Sequence, residues 1–170
     1  MSNLITYSIA REWLRGVVGT EQFSFRAWSG GGRGRTGEGA DHSPQSYDVF
    51  RKEKGEGDSH IHGGPLPPGI YICNYVAHHP KFHECIFLEQ TITALFTIDA
   101  SAKVRFYDRD SLYIHGRGPH GSDACIVPEH EADRKALNKA IKNTSGAVML
   151  KVIDPGMPVP AERETSTSYA

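Results

Sequence analysis

His115 and Cys125 are the residues of this chain whose types and spacing most directly allow nucleophilic chemistry. A thiolate is a strong nucleophile, and a nearby imidazole can take the thiol proton and later return it to a leaving amine. The intervening loop, 116–124, is rich in glycine. Its backbone can approach a substrate closely, and N–H groups near the cysteine can hold a developing oxyanion. We therefore predict an active site over residues 113–127, with Cys125 as nucleophile and His115 as base.

Three side chains near this pair are candidate substrate contacts. Arg117 carries a guanidinium, whose planar fork suits a carboxylate, although a solvated loop arginine is the alternative. His120 lies in the same loop and either contacts substrate or is simply exposed. Tyr113 stands two residues before His115 on a predicted strand, so it points to the same face and either lines the site or packs in the core.

The elements that position this segment are mainly strands. Alternating apolar and polar side chains predict strands, because successive side chains of a strand point to opposite faces. A hairpin turn is predicted around Gly16 and Gly19-Thr20. The predicted strands lie within residues 4–28 and at 69–75, 84–88, 94–98, 104–107, 112–115 and 147–153.

One helix is predicted after Cys125. It is expected to begin near Pro128, since proline suits the first position of a helix, with Glu129 and Glu131 complementing the dipole in the first turn. Asn143 to Gly146 can end it. Its apolar stripe at helical spacing consists of Ala132, Ala136, Leu137, Ala140 and Ile141. A helix start here would also favour the thiolate form of Cys125.

The length of 170 residues fits one domain, predicted over residues 1–154. Within it the polar stretch 29–64 is a long loop, expected to be functional or mobile. The tail 155–170 is predicted to be disordered. Many strands and one main helix predict a mostly β or α+β fold.

Composition excludes several classes of function. The formal net charge is -1, so no electrostatic argument favours nucleic acid or an anionic membrane. No apolar run approaches the length of about 20 residues that spans a bilayer. The start of the chain lacks the pattern of a signal peptide, so we expect either a cytosolic protein or export by another route. The glycines at 30–34 lack the spacing of a phosphate loop, and no cofactor is predicted.

The remaining cysteines and histidines have ordinary interpretations beside functional ones. Three cysteines leave at least one thiol unpaired. Cys73 and Cys85 lie on two neighbouring predicted strands, where they either pair or pack as small apolar residues. The histidine clusters could bind zinc or copper. No metal-site motif accompanies them, and no metal is predicted. These clusters are His60 with His62, and His78, His79 and His83.

The active-site segment resembles the signature of L,D-transpeptidases, the YkuD-like cysteine enzymes of bacterial cell walls. His115-Gly116 matches the opening of that signature, Ser122 its Ser/Thr, Cys125 its nucleophile and Ile126 its aliphatic residue. Upstream, Gly64-Pro65-Leu66-Pro67-Pro68-Gly69-Ile70-Tyr71 resembles a turn found in compact effectors of this group that type VI secretion systems deliver. The resemblance spans roughly residues 20–153 and implies a YkuD-like sandwich or barrel.

Two positions depart from the family pattern. Ala124 stands where glycine usually precedes the cysteine, and Val127 stands where many members have Asn or Arg. If the first position needs a positive φ, alanine is strained there. At the second, a polar helper is absent or comes from elsewhere. The departures bear on efficiency and substrate preference more than on the class of chemistry.

The resemblance implies an enzyme that cleaves or exchanges the terminal D-Ala of peptidoglycan tetrapeptide stems, acting as an L,D-carboxypeptidase or L,D-transpeptidase. Its setting would be a type VI antibacterial toxin in a target cell's periplasm, with an immunity protein and secretion-apparatus proteins as partners. Ser122 would help to place the loop and the oxyanion. The complete set of expected substrate contacts is Tyr113, Gly116, Arg117, His120, Gly121, Asp123 and Ala124.

Two alternatives remain open at this point. One is a papain-like peptidase or amidase that uses Cys73 or Cys85 ahead of His115 in chain order. In that class the nucleophile usually opens a helix, whereas Cys73 stands in a strand-like run. The other is a non-catalytic binding module of phage or secretion machinery, in which the His-Gly loop is structural.

Overall fold

The structure, a computed structural model, describes residues 3–29, 66–91, 96–98, 104–106, 112–116 and 125–153. These ranges contain ten strands and one helix, α1, at Glu131–Asn143. The strands are β1 Asn3–Ser8, β2 Trp13–Val18, β3 Glu21–Ser29, β4 Gly69–His79, β5 His83–Gln90, β6 Phe96–Ile98, β7 Val104–Phe106, β8 Tyr113–Ile114, β9 Ile126–Pro128 and β10 Val148–Ile153.

Eight of these strands close into a barrel in the order β1-β10-β4-β5-β8-β9-β3-β2. β6 and β7 form a separate two-stranded antiparallel sheet. Two neighbouring pairs in the barrel are parallel, β1 with β10 and β8 with β9, and the others are antiparallel. A strand-rich fold with its main helix after Cys125 is thus confirmed, in the form of a barrel.

The barrel interior is filled by the apolar half of each alternating strand. Ile5 and Tyr7 of β1 are fully buried, as are Tyr71 of β4 and Leu150 of β10. Each large apolar side chain buried in this way contributes about 1.5–3 kcal/mol relative to exposure. The predicted alternation of Phe23, Phe25 and Ala27 in β3 is also confirmed, because all three belong to this core.

Helix α1 begins later than the sequence predicts. Pro128 is the last residue of β9, where it pairs with Ala27, and the helix begins at Glu131. Proline is tolerated at the limits of a strand as well as at the start of a helix. Pro128 alone therefore does not show whether a strand or a helix occupies this position. Of the predicted stripe, Leu137 and Ile141 are buried in the core and Ala140 packs partly against it, whereas Ala132 and Ala136 are exposed.

Two glycines near the chain start have different roles. Gly19 has φ 64 in the turn between β2 and β3, which confirms the predicted hairpin at Gly19-Thr20. Gly16 was expected in a turn and instead lies inside β2, opposite Ile5. A Cβ there would approach the Leu4 carbonyl oxygen to 2.2 Å, so glycine is required by close backbone contact rather than by a turn.

The stretch predicted as a long loop, 29–64, begins and ends at neighbouring points of the barrel. Ser29 is the last residue of β3, and its buried hydroxyl accepts a hydrogen bond of 2.8 Å from the Leu66 N–H. The Pro-Gly turn that follows is fixed by Tyr71, whose hydroxyl donates to the Pro67 carbonyl at 2.7 Å. The rest of that stretch, 30–65, and the predicted tail 155–170 lie outside the described residues.

Within the described residues, no helix is both long and apolar enough to cross a bilayer.

Candidate active site

The predicted nucleophile and base lie on two adjacent parallel strands. Ile114 of β8 pairs with Ile126 of β9, and the His115 N–H donates to the Ile126 carbonyl at 3.0 Å. His115 directly follows β8, and Cys125 directly precedes β9. The two residues are therefore diagonal neighbours, with Cα positions on the order of 7–8 Å apart, within reach of an imidazole.

Both side chains point away from the barrel interior. Ile86, Ile114 and Ile126 form one row across β5, β8 and β9, and each is fully buried in the core. Since side chains alternate along a strand, the residues on either side of these isoleucines face outward. His115 and Cys125 are each 6% exposed, so both are covered although they lie on the outer face of the barrel.

The imidazole of His115 is oriented by the carbonyl of the next residue. Its Nδ1 lies 2.7 Å from the Gly116 carbonyl oxygen. A carbonyl can only accept, so Nδ1 carries the proton, and in the neutral ring Nε2 is the basic nitrogen. This carbonyl does for the imidazole what a carboxylate does in a catalytic triad, fixing its tautomer and direction. Gly116, predicted to contact substrate, thus has an orienting role as well.

Burial keeps this imidazole neutral. It lowers the pKa of His115 to about 4, and the nearby positive charges of Lys81 and Arg134 act in the same direction. The bond to the Gly116 carbonyl opposes this trend and raises the pKa. A neutral imidazole at neutral pH is the form that can accept the Cys125 proton.

An aromatic side chain that the sequence did not indicate covers His115. The Phe82 ring stacks on the imidazole with centroids 3.8 Å apart and planes 10° from parallel. Phe82 also stacks on His79, at 4.7 Å and 20°. The ring therefore excludes water from one face of the base, which is a physical source of its desolvation.

The turn that carries Phe82 is held by His79. The Nδ1 atom of His79 accepts hydrogen bonds from the backbone N–H groups of Lys81 and Phe82, at 3.0 and 3.1 Å. His83 closes the turn with φ 60 and pairs with His79 in the β4–β5 register. This part of the predicted histidine cluster is therefore a turn-stabilising device. No group of three metal-ligating side chains occurs within the described ranges, and His60 and His62 lie outside them.

The other two cysteines are poorly suited to be nucleophiles. Burial raises the pKa of Cys73 to about 12 and that of Cys85 to about 11. All three cysteines remain thiols, and the strand register places Cys73 opposite Leu88 rather than opposite Cys85. Neither Cys73 nor Cys85 opens a helix. These observations count against the papain-like alternative.

Tyr113 precedes Ile114 in β8 as Cys125 precedes Ile126 of β9, so the two residues are neighbours across this parallel pair. Burial raises the pKa of Tyr113, and Cys85 and Cys125 act in the same direction. Its ring also contacts His79 at 4.9 Å and Phe87 at 5.5 Å. Tyr113 is half-buried, which leaves part of it accessible beside the site.

A cavity of about 510 Å³ opens beside Gly116, a volume typical of small-ligand sites. Val127 also lines it, whereas His115 and Cys125 do not. Arg134 of α1 reaches into the same cavity, a residue that the sequence did not single out. Further lining residues are Phe82, His83, Glu84, Pro128, Glu129, Glu131 and Lys135.

The structure corrects one part of the predicted site and does not describe another. The helix does not begin directly after Cys125, because β9 intervenes, so the expected helix-dipole effect on the thiolate is wrong. Most of the predicted loop lies outside the described residues and stays a prediction. These residues are Arg117, His120, Gly121, Ser122, Asp123 and Ala124.

Comparison with known proteins gave one distant likeness. No protein-family model and no curated protein matches this chain. Among solved structures, an L,D-transpeptidase from Xylanimonas cellulosilytica is similar, with 9% identity and a TM-score of 0.42. The match covers 89% of this chain and 60% of that chain, so this protein spans well under two thirds of that structure. A likeness this distant does not assign an activity.

Proposed function

We propose that this protein is a cysteine-nucleophile peptidoglycan enzyme that cleaves or exchanges the terminal D-Ala of tetrapeptide stems. The observation that carries the proposal is the orientation of His115 by the Gly116 carbonyl, one strand away from Cys125. The proposal assigns Cys125 as the nucleophile, His115 as the base and the Gly116 carbonyl as the group that orients the base. The choice of substrate rests on the resemblance of the His-Gly…Ser…Cys-Ile segment to L,D-transpeptidases.

The proposed reaction has two half-reactions. In the first, Nε2 of His115 takes the Cys125 proton while the sulfur attacks the carbonyl between meso-diaminopimelate and D-Ala. The tetrahedral intermediate collapses when His115 gives that proton to the leaving amine, so D-Ala departs and a thioester remains. In the second, water or an amine attacks the thioester, again with His115 as base and acid. Water gives hydrolysis, and an amine gives transfer.

Ser122 and backbone N–H groups of the 116–124 loop are proposed to stabilise the oxyanion. In the sequence this loop lies between His115 and Cys125, the proposed base and nucleophile. Donors placed where negative charge develops typically contribute a factor of about 10²–10³ to the rate.

The test compares four proteins on purified muropeptides, with products read by mass spectrometry. They are the wild type, Cys125→Ala, His115→Gln and the control Cys85→Ala, which removes a buried thiol from a neighbouring strand. Wild type and control are expected to convert tetrapeptides to tripeptides, and the other two are not. Added D-methionine separates transfer from hydrolysis. Equal activity in Cys125→Ala would refute the nucleophile, and inactivity of the wild type would favour a binding module.

The biological setting is a separate proposal, supported by the likeness of the Gly64–Tyr71 turn to type VI effectors. We infer that the protein acts in the periplasm of a target cell and that the producer carries an immunity protein. Expression in a test bacterium with an added export signal should slow growth, whereas cytoplasmic expression and exported Cys125→Ala should not. Toxicity that persists in exported Cys125→Ala would contradict this setting.

A further inference from the structure

Arg134 is a largely covered cation whose position beside the base is unexplained by the reaction chemistry. Its side chain is 12% exposed and lines the cavity next to Gly116. A Cβ placed on Gly116 would lie 2.4 Å from Arg134 Nε and 2.9 Å from Cζ, so the guanidinium lies directly against that glycine. The same glycine holds the His115 imidazole through its carbonyl.

The contacts of this guanidinium are long. Among the described residues, one nitrogen lies 3.3 Å from the Glu131 carboxylate and another 3.5 Å from the Glu84 carbonyl. Charge-assisted bonds usually measure about 2.7–2.9 Å. Glu131 is itself 69% exposed and also lies 3.4 Å from Lys135. A covered cation held by a solvated carboxylate and by one long bond to a backbone carbonyl is positioned to exchange that carboxylate for one on a ligand.

The cavity begins at Gly116, the residue whose carbonyl orients the proposed base. In the proposed reaction His115 protonates the leaving amine, and in a C-terminal residue a single carbon separates that amine from the carboxylate. The cavity can take this carboxylate. Of the two cations that line it, the Arg134 guanidinium packed against Gly116 is far less exposed than Lys135.

We propose that Arg134 binds the free α-carboxylate of the C-terminal residue released by the enzyme, and so restricts cleavage to the last bond of the stem. This inference rests on the proposed function and extends it from a reaction to a specificity. Arg134 would also supply a polar group next to Val127, because both residues line the same cavity. A stem whose terminal carboxylate is amidated would lack the group that Arg134 recognises.

The test measures kcat/KM for a tetrapeptide with a free terminal carboxylate and for the same peptide ending in an amide. A third peptide is amidated instead on the diaminopimelate side-chain carboxylate. The wild type should prefer the free terminus by roughly 10- to 100-fold, the range for a hydrogen bond to a charged group. Arg134→Gln should remove this preference, and Arg134→Lys should retain part of it. Amidation of the diaminopimelate should leave the ratio between variants unchanged.

Two further variants sharpen the result. Lys139→Gln removes a positive charge from an exposed position of the same helix outside the cavity, and should keep the wild-type preference. Glu131→Gln removes the competing carboxylate and should increase the preference. A merely structural role for Arg134 would lower turnover of both peptides equally and leave their ratio intact.

The outcomes separate the two proposals. If the wild type cleaves neither peptide, the proposed function is refuted and this specificity with it. If it cleaves both with equal kcat/KM, or if Arg134→Gln keeps the preference, the assignment of Arg134 alone is refuted. If the diaminopimelate carboxylate carries the Arg134-dependent preference, the terminal carboxylate is likewise refuted as the ligand.

Discussion

Replacing Phe82 with alanine should raise the pKa of His115. Phe82 covers one face of the imidazole at a centroid separation of 3.8 Å, and burial is the main cause of the low pKa of this group. Desolvation disfavours the charged imidazolium. Opening that face to water therefore stabilises the protonated ring, and the acid limb of activity should move to higher pH.

The size of the effect is bounded by the structure. The His115 pKa is lowered from 6.5 to about 4, which at about 1.4 kcal/mol per pKa unit is on the order of 3 kcal/mol against the imidazolium. Phe82 covers one of two ring faces, so its removal should recover about half, a rise of about one pKa unit. A depressed histidine pKa also costs stability as pH falls from 6.5 towards 4, because the unfolded chain binds the proton first.

The assay is a nuclear magnetic resonance titration of histidine ring signals in wild type and Phe82→Ala, with His115→Gln used to assign the signal. It requires no substrate, so it is independent of the proposed activity. A parallel pH profile of kcat/KM should show the acid limb displaced by the same amount. The reasoning is wrong if wild-type His115 titrates near 6.5, or if its pKa in Phe82→Ala is unchanged or lower.

Three further substitutions test other parts of the structure. Gly116→Ala would place a Cβ 2.4 Å from Arg134 Nε. Such overpacking should lower the free energy of unfolding by about 1–3 kcal/mol, measured by urea denaturation. The value of kcat/KM should also fall, because the carbonyl that orients His115 moves. His79→Ala removes the acceptor for two backbone N–H groups of the β4–β5 turn and should lower stability by about 1 kcal/mol, with proteolysis at the turn as a second readout. Ser29→Ala removes the buried acceptor of the Leu66 N–H and should cost about 1–3 kcal/mol in thermal unfolding; an unchanged Tm would show that this bond does not secure the β3 end.

Local patterns predicted the strands well because each depends on neighbouring residues. Buried and more exposed side chains alternate along β1 and β3 because one face of each strand points into the barrel. This pattern can be recognised within each strand, without knowing which strands pair with it. The predictions of a turn at Gly16 and of a helix start at Pro128 were wrong because both residues are determined by contacts with distant parts of the chain. Gly16 is required by the approach of the Leu4 carbonyl from another strand, and Pro128 pairs with Ala27. Neither contact leaves a mark in the local sequence.

The same distinction applies to the candidate site. His115 and Cys125 are close in sequence, so their types and spacing indicated them. Phe82 and Arg134 come from the β4–β5 turn and from α1, and only the closed barrel brings them to the base. The sequence shows His79 as part of a histidine cluster for which no metal is predicted, and it gives no sign that the Nδ1 atom accepts backbone hydrogen bonds.

The parallel pairing of β1 with β10 has a consequence for how the chain acquires its shape during synthesis. The first strand is joined to the last over six residue pairs, and β10 lies between β1 and β4 in the barrel. Until the ribosome has released the last strand, β1 and β4 each lack a neighbour and the barrel cannot close. Proteins dominated by such distant pairings typically fold in milliseconds to seconds. The nascent chain therefore carries two unmatched strand edges, one on β1 and one on β4, until β10 has left the ribosome.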